Sequence, residues 1–287
     1  MLEDRPLVIN LAPTGMVPTV RQNASLPVTA EAIARDAADC RALGASIVHL
    51  HARDAEGLAT WRPEVYREII LAVRRRAPDL VICVSTSGRT FAEFDQRAAV
   101  LDLDGDARPE MASLTLGSMN FPTQASVNEP AMIERLAARM QERGIVPELE
   151  VFDLGMLDYA RYLIDRAILR PPFYVNVLLG SRGTLAATPL NLALMAQALP
   201  EGATWAGAGI GRFQFPVNAL AVTMGGHVRV GLEDNLFMDS AKRQPATNVA
   251  LVRRLVDLAR AAGREPATPD ETRAIVGLAP RPVPAAS

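Results

Sequence analysis

Eight short apolar runs, each followed by a longer amphipathic stretch, recur from one end of the 287-residue chain to the other. The runs are "LVINLA", "SIVHLH", "LVICVS", "MASLTL", "VPELEVF", "FYVNVLL", "TWAGAGI" and "HVRVGL". Helical patterns with good start and stop signals fall between them. Thr29 caps "AEAIARDA" and Gly44 ends it; Pro63 opens a helix over 62–76; "FAEFDQRAAVL" is a third; Gly144 stops "NEPAMIERLAARMQER"; a fifth is centred on 157–168. Strand–helix alternation predicts a parallel sheet with its helices outside, and eight units predict closure into an α/β fold, the (β/α)8 TIM barrel. The length suits one such domain over 1–287. A short helical extension follows the eighth helix, capped by Thr268 or Asp270, and 278–287 reads as a frayed Pro/Ala-rich tail. An open dinucleotide-binding sheet fits less well, because no G-x-G-x-x-G follows the first run; "GAGIGR" comes only after the seventh.

Charge excludes some partners. The formal net charge is −2 with no long run of one sign, so neither nucleic acid nor an anionic membrane surface is expected. The basic triplet Arg74 to Arg76 suits a solvated helix end. No stretch approaches the roughly 18 apolar residues of a membrane span, and "MLEDRPLVINLAP" lacks the form of a signal peptide. A cytoplasmic protein is expected, with Cys40 and Cys83 as buried free thiols in apolar contexts.

The chain has three histidines, and two of them, His49 and His51, stand one residue apart in "IVHLHARDAEG". Side chains two apart on a strand share a face. The second strand ends near His51, so both imidazoles are expected at the C-terminal mouth, where barrels of this kind place their chemistry. Two imidazoles and one carboxylate make a three-ligand divalent-metal site with open positions for substrate. Barrel closure brings the eighth strand beside the first, and the loop "GLEDN" then carries Glu233 within reach of His49 and His51. The third histidine, His227, enters at the base of the eighth strand and reads as structural.

Asp234 and Arg229 suit a second task. A carboxylate beside a divalent metal can act as base towards a carbon acid whose carbonyl the metal polarises. An arginine can orient that carboxylate or hold one belonging to the substrate. "VSTSGR" adds hydroxyls at the same mouth from Ser85, Thr86 and Ser87, which turn chemistry would also use. Glu148 and Glu150, two apart in "PELE", share a face; either can line the pocket or serve the frame. These residues admit a metal enzyme acting on a carbon acid, such as an aldolase or hydrolase without CoA, or a non-enzymatic binding protein with a structural metal. The last would need four protein ligands, and only three good ones are evident.

The stretches "IVHLHARDAEG", "STSG", "GSMNF", "PELEVFD", "GIGR" and "GGHVRVGLEDN" together resemble the β-keto acid cleavage enzymes, first characterised as 3-keto-5-aminohexanoate cleavage enzymes. The likeness runs over nearly the whole chain. It implies a TIM barrel, one zinc ion per chain and a homotetramer. It also implies an acyltransferase that converts a β-keto acid and acetyl-CoA to acetoacetate and a new acyl-CoA. By matching motifs, His49, His51 and Glu233 would hold the zinc, although cobalt, manganese or nickel suit the same donors. Asp234 would take the C2 proton, with Arg229 and Ser85 beside it; the enolate would attack the acetyl-CoA thioester, and CoA would pass to the 3-keto carbon as C2–C3 breaks. Thr14, Gly15, Met16, Thr86, Asn120, Glu148 and Glu150 are the expected substrate contacts, and Arg212 is a candidate for the phosphates of CoA. In one place the sequence departs from the pattern. Members that bind the amino-hexanoate read T-G-A-E after the first strand, whereas "PTGMVPT" offers Met16 and no acid, so a substrate other than the amino-hexanoate is expected.

Overall fold

A computed structural model describes residues 5–281. Eight parallel strands close into a barrel: β1 Ile9–Leu11, β2 Ile47–Leu50, β3 Val81–Val84, β4 Met111–Thr115, β5 Val146–Val151, β6 Tyr174–Leu179, β7 Thr204–Gly209 and β8 His227–Val230. The ring closes where β1 pairs with β8 on one side, through Asn10 and Arg229, and with β2 on the other, through Asn10 and Ile47. Outside run α1 Ala30–Leu43, α2 Pro63–Arg76, α3 Phe94–Ala98, α4 Pro130–Glu142, α5 Leu154–Asp165, α6 Pro189–Gln197, α7 Gln214–Thr223 and α8 Asn248–Ala261. The expected (β/α)8 TIM barrel is the fold observed.

The barrel interior changes character along its axis. At the N-terminal end, Val8, Ile47, Val81, Met111, Tyr174 and Ala206 form one apolar cluster. Ala267 and Val276 join that cluster from α9 (Pro269–Val276) and the turn before it, so the C-terminal extension plugs the bottom of the barrel. Thr268 caps α9 in a capping box with Glu271, and Asp270 lies in the first turn. Glu110 pins the plug, accepting from Arg273 Nε at 2.8 Å and from Arg74 Nη2 at 2.7 Å. Further up, the same inward parity is taken by polar side chains: Asn10, His49, Glu148, Asn176 and Arg229, all buried. A core that is oily at the base and charged at the top places the chemistry at the C-terminal mouth.

Some elements differ from the sequence expectation, for local reasons. The third helix breaks into α3 and a 3-10 turn, Ala99–Asp102; its buried Arg97 reaches inward to the Thr86 carbonyl and Asn128 Oδ1, each at 2.8 Å. The fifth helix starts three residues early because Asp153 caps it, accepting from Met156 N at 3.0 Å. "ARDAEG" is not a plain loop: Ala52–Arg53 pairs antiparallel with Ala59–Thr60, and Asp54 Oδ1 accepts from Glu56 N and Leu58 N within the turn. A second hairpin, Met119–Asn120 with Ala125–Ser126, overhangs the mouth. In the segment read as frayed, Leu278 N donates to the Arg273 carbonyl at 2.8 Å, and Arg281 reaches Asp106 at 3.3 Å. Residues 282–287 of that segment lie outside the described residues. Among the described residues no helix is long and apolar enough to cross a membrane.

Candidate active site

The C-terminal mouth opens into a cavity of about 640 Å³ lined in part by Met16, His51, Ser85, Arg229, Glu233 and Asp234. His49 and His51 stand on one face of β2 and its exit, as their spacing requires. Their Nε2 atoms are 3.2 Å apart, and His51 Nε2 is 3.2 Å from Glu233 Oε1. Glu233 arrives from the turn after β8. That turn is set by Gly231, whose φ of 153° and whose Cβ position, 2.0 Å from the Ala12 carbonyl, admit no side chain. Gly15, at φ +67°, sits so close that a Cβ there would lie 2.6 Å from Glu233 Cγ. Arg53, from the "HARD" stretch, holds this glycine in place by donating to the Gly15 carbonyl at 2.7 Å and the Pro18 carbonyl at 2.7 Å.

The donor set fits a divalent ion on three observations. One ligand atom each from His49, His51 and Glu233 lies within 4.8 Å of the others. The two separations of 3.2 Å match the edge of a tetrahedron with bonds near 2.0–2.1 Å, which is about 3.3 Å. Glu233 Oε2 is buried with no hydrogen-bond partner among the described residues, the state of a carboxylate oxygen kept for a cation. The third observation is charge. The Arg229 guanidinium lies 2.7 Å from Glu233, 3.0 Å from Glu150, 3.0 Å from Asp234 and 3.9 Å from Glu148. Four carboxylates around one buried cation leave an excess of negative charge that a divalent ion offsets.

Contacts from behind orient the histidines. His49 Nδ1 lies 2.6 Å from Glu148 Oε2, and Asn10 Nδ2 donates to the other Glu148 oxygen at 2.5 Å. With Nδ1 as donor, the Nε2 lone pair of His49 faces His51 and Glu233. Burial opposes charge on His49, but the Glu148 carboxylate outweighs it and the imidazole pKa is raised. Burial alone would raise Glu148, yet His49, Arg229 and Asn10 bring it down to about 2. At His51 burial outweighs the nearby Glu233 carboxylate and lowers the pKa. Burial pushes the Cys83 thiol well up, so it stays protonated and donates to Glu148 Oε2 at 3.4 Å.

Asp234 is held differently from Glu233. Arg229 Nε donates to its Oδ2 at 3.0 Å. Burial, reinforced by Glu233 and opposed by Arg229, pushes its carboxyl up to about 6. A carboxylate with a raised pKa at the cavity wall, next to Glu233, has the chemistry of a general base.

A profile of the β-keto acid cleavage enzymes matches residues 6–278. The chain belongs to the β-keto acid cleavage enzyme family. It is 41% identical over 273 residues to a 3-keto-5-aminohexanoate cleavage enzyme of Fusobacterium nucleatum subsp. nucleatum, covering 95% of this chain and 98% of that one. It is 34% identical over 277 residues to a 3-oxoadipate:acetyl-CoA acetyltransferase of Cupriavidus necator, covering 96% and 95%. In fold it is similar to the apo structure of ObcA, with a TM-score of 0.80 at 21% identity, over 88% of this chain and 66% of that longer one. This β-keto acid cleavage enzyme is an acyltransferase that breaks a carbon–carbon bond.

The remaining residues singled out by sequence fall into two groups. Met16, Ser85, Glu150 and Arg212 line the cavity with His51, Glu233 and Asp234. Ser85 Oγ accepts from Ser87 N at 3.2 Å, which leaves its proton free. Thr14, Gly15, Thr86, Asn120 and Glu148 do not line it. Thr14 donates to the Pro27 carbonyl at 2.9 Å and Thr86 to the Ser113 carbonyl at 2.6 Å, both buried. Asn120 is exposed on the overhanging hairpin, and Glu148 lies fully enclosed behind His49. Parity does not separate Glu148 from Glu150; depth in the barrel does. Sequence reasoning missed Asn10 and Arg53. A lone asparagine at an inward position of an apolar strand was the available signal for the first, since a buried amide needs a partner.

Proposed function

We propose that the protein transfers the acyl group of a β-keto acid to CoA, using acetyl-CoA and releasing acetoacetate. His49, His51 and Glu233 hold one zinc ion, and Asp234 is the base that takes the C2 proton. The observation that carries this reading is Asp234 clamped by Arg229 at 3.0 Å beside a three-ligand cation site. A divalent ion there supplies Lewis-acid polarisation of the keto group and stabilises charge that develops on its oxygen. Arg229, tied to Glu150, Glu233 and Asp234, orients the base by fixing Oδ2, and Oδ1 takes no hydrogen bond from it. Ser85 has a hydroxyl proton to give to a substrate oxygen. Arg212, with Arg182 and Lys242, is exposed at the rim and suits the phosphates of CoA. Cleavage without CoA is less favoured, because relatives over the full chain length are named for acetyl-CoA transfer.

The substrate tail is not a cation in this reading. Val17 takes the place of the glutamate in T-G-A-E, and it lines the cavity beside Met16, so this stretch brings no acid. Among the described residues the cavity carboxylates are already paired: Glu150, Glu233 and Asp234 with Arg229, and Asp239 with Arg243 at 3.4 Å. An ammonium would lose water without gaining a free carboxylate. The family resemblance adds a cytoplasmic homotetramer with one barrel domain per chain. The test is a panel of β-keto acids with acetyl-CoA, reading acetoacetate, together with metal analysis and the mass of the assembly in solution. Within the panel, the 5-amino acid is compared with its uncharged analogue on wild type and on Met16→Glu. Wild type should favour the uncharged analogue and Met16→Glu the amine. No acetoacetate from any member would defeat the reaction, and a wild-type preference for the amine would defeat the substrate reading.

A further inference from the structure

One cation in the cavity has no structural task. Arg229 is spent on carboxylates, and Arg182, Arg212 and Lys242 are exposed at the rim, where water solvates them. Arg89 lies deeper. Its guanidinium carbon stands 3.4 Å from the centroid of the Phe121 ring, which covers one face of the group. Its backbone is held from both sides: Arg89 N donates to Ser87 Oγ at 3.3 Å, and Gln124 Nε2 donates to its carbonyl at 2.9 Å. Among the described residues no carboxylate forms an ion pair with the guanidinium, and none of its N–H groups makes a hydrogen bond within the protein. The residue is half-buried and lines the cavity. Burial lowers its pKa, and Glu233, Glu150 and Asp234 are near enough to act on its charge. A planar cation with one face stacked and its edge free is arranged to receive a carboxylate through paired N–H donors.

We propose that Arg89 binds a carboxylate at the far end of the β-keto acid, so that the preferred substrates are β-keto dicarboxylic acids. The proposal rests on the reading of this cavity as the β-keto acid site. The reacting end is committed to the metal ligands and Asp234, so a second anionic group on the same molecule must be met elsewhere on the wall. Arg89 is the deep cation left for it. A phosphate of CoA shares the anionic chemistry, but the exposed cations at the rim suit that larger, strongly hydrated group.

The test uses the whole metal-loaded enzyme and a matched pair of short β-keto acids, one ending in a carboxylate and one of equal length ending in a methyl group. Binding is measured by calorimetry without acetyl-CoA, and kcat/KM is measured with it. Wild type should favour the dicarboxylic acid about 10- to 100-fold in both measurements, the range for a charge-assisted hydrogen-bonded pair. Arg89→Gln should erase that preference, leave the methyl-ended acid within about threefold of wild type, and leave the KM for acetyl-CoA unchanged. The methyl-ended acid thereby reports that the variant is folded, and Arg89→Lys should retain part of the preference as a point charge. Equal wild-type binding of the two acids would overturn the proposal. So would a rise in the KM for acetyl-CoA with both acids equally affected, which would assign the guanidinium to CoA. Selective binding of the dicarboxylic acid without acetoacetate formation would uphold Arg89 while sinking the reaction.

Discussion

His49 Nδ1 and Glu148 Oε2 lie 2.6 Å apart in a part of the barrel where neither side chain meets solvent. The contact sets the tautomer of the His49 imidazole from behind, and it joins β2 to β5 across the barrel interior. Outer-shell partners of this kind typically tune metal affinity by one to two orders of magnitude. Glu148→Gln, which can still accept from Nδ1–H but carries no charge, should weaken metal binding about tenfold. Glu148→Ala should weaken it about a hundredfold, because Asn10 and His49 then face an empty space. Chelator competition followed by metal analysis measures both; unchanged affinity in the alanine variant would remove Glu148 from the metal site.

Asp234 and Glu233 are neighbours to which the proposed function gives separate tasks. His51→Ala should strip metal and turnover together and leave the far-ultraviolet circular dichroism unchanged. Asp234→Asn should keep stoichiometric metal and lose about 10²- to 10⁴-fold in kcat, since an amide cannot take the proton. Exchange of the substrate C2 proton with deuterated solvent, followed by NMR without acetyl-CoA, should stop in the same variant. Near-normal exchange would mean that another group is the base.

Gly15 tests whether the first loop positions a metal ligand without touching substrate. A Cβ at this position would meet Glu233 Cγ at 2.6 Å, on a backbone at φ +67°. Gly15→Ala should therefore displace Glu233, lower metal affinity and depress kcat, at a stability cost of about 1–3 kcal/mol. A variant that melts a few degrees lower but binds metal as wild type does would show that the contact relaxes elsewhere.

His227 makes stability depend on pH at the other end of the barrel. Its Nδ1 accepts from Val8 N at 2.9 Å, so the native ring must be unprotonated there. Burial, with Arg264 nearby, pulls its pKa from 6.5 down to about 3. The unfolded chain takes up this proton below pH 6.5 while the native state refuses it until about 3, so this contribution to stability is complete above 6.5 and is lost as pH falls through that window. Between pH 7 and 5 the loss from this group is about 2 kcal/mol. His227→Gln should be less stable than wild type at pH 7 but should show a shallower decline in urea-unfolding free energy by about that amount. Parallel declines would assign the acid sensitivity to other groups.

Much of the molecule was determined by the sequence alone. Eight alternating units leave a right-handed parallel barrel as the simplest closure, and strand parity puts His49 and His51 on one face at the mouth. Those are properties of periodicity, which is local and survives translation into one dimension. Glu233 and Asp234 also became legible, because closure brings the end of β8 beside β1. Depth, shielding and partner choice were decided only by the tertiary structure. Glu148 and Glu150 share a face two residues apart, yet one is sealed behind His49 and the other lines the cavity. The difference comes from how far each rises along the barrel axis relative to Asn10, Cys83 and Arg229 on other strands, which no spacing within "PELE" encodes. Thr14, Thr86 and Asn120 likewise lie in motifs near the site, but their side chains are spent on backbone carbonyls or turned to solvent. Arg89 is the converse case. In sequence it is a turn residue after "STSG"; only the fold lays it on Phe121, inside a cavity whose carboxylates are already paired. Electrostatic pairing is a sum over the whole surroundings of a group, and those surroundings exist only once distant strands have met.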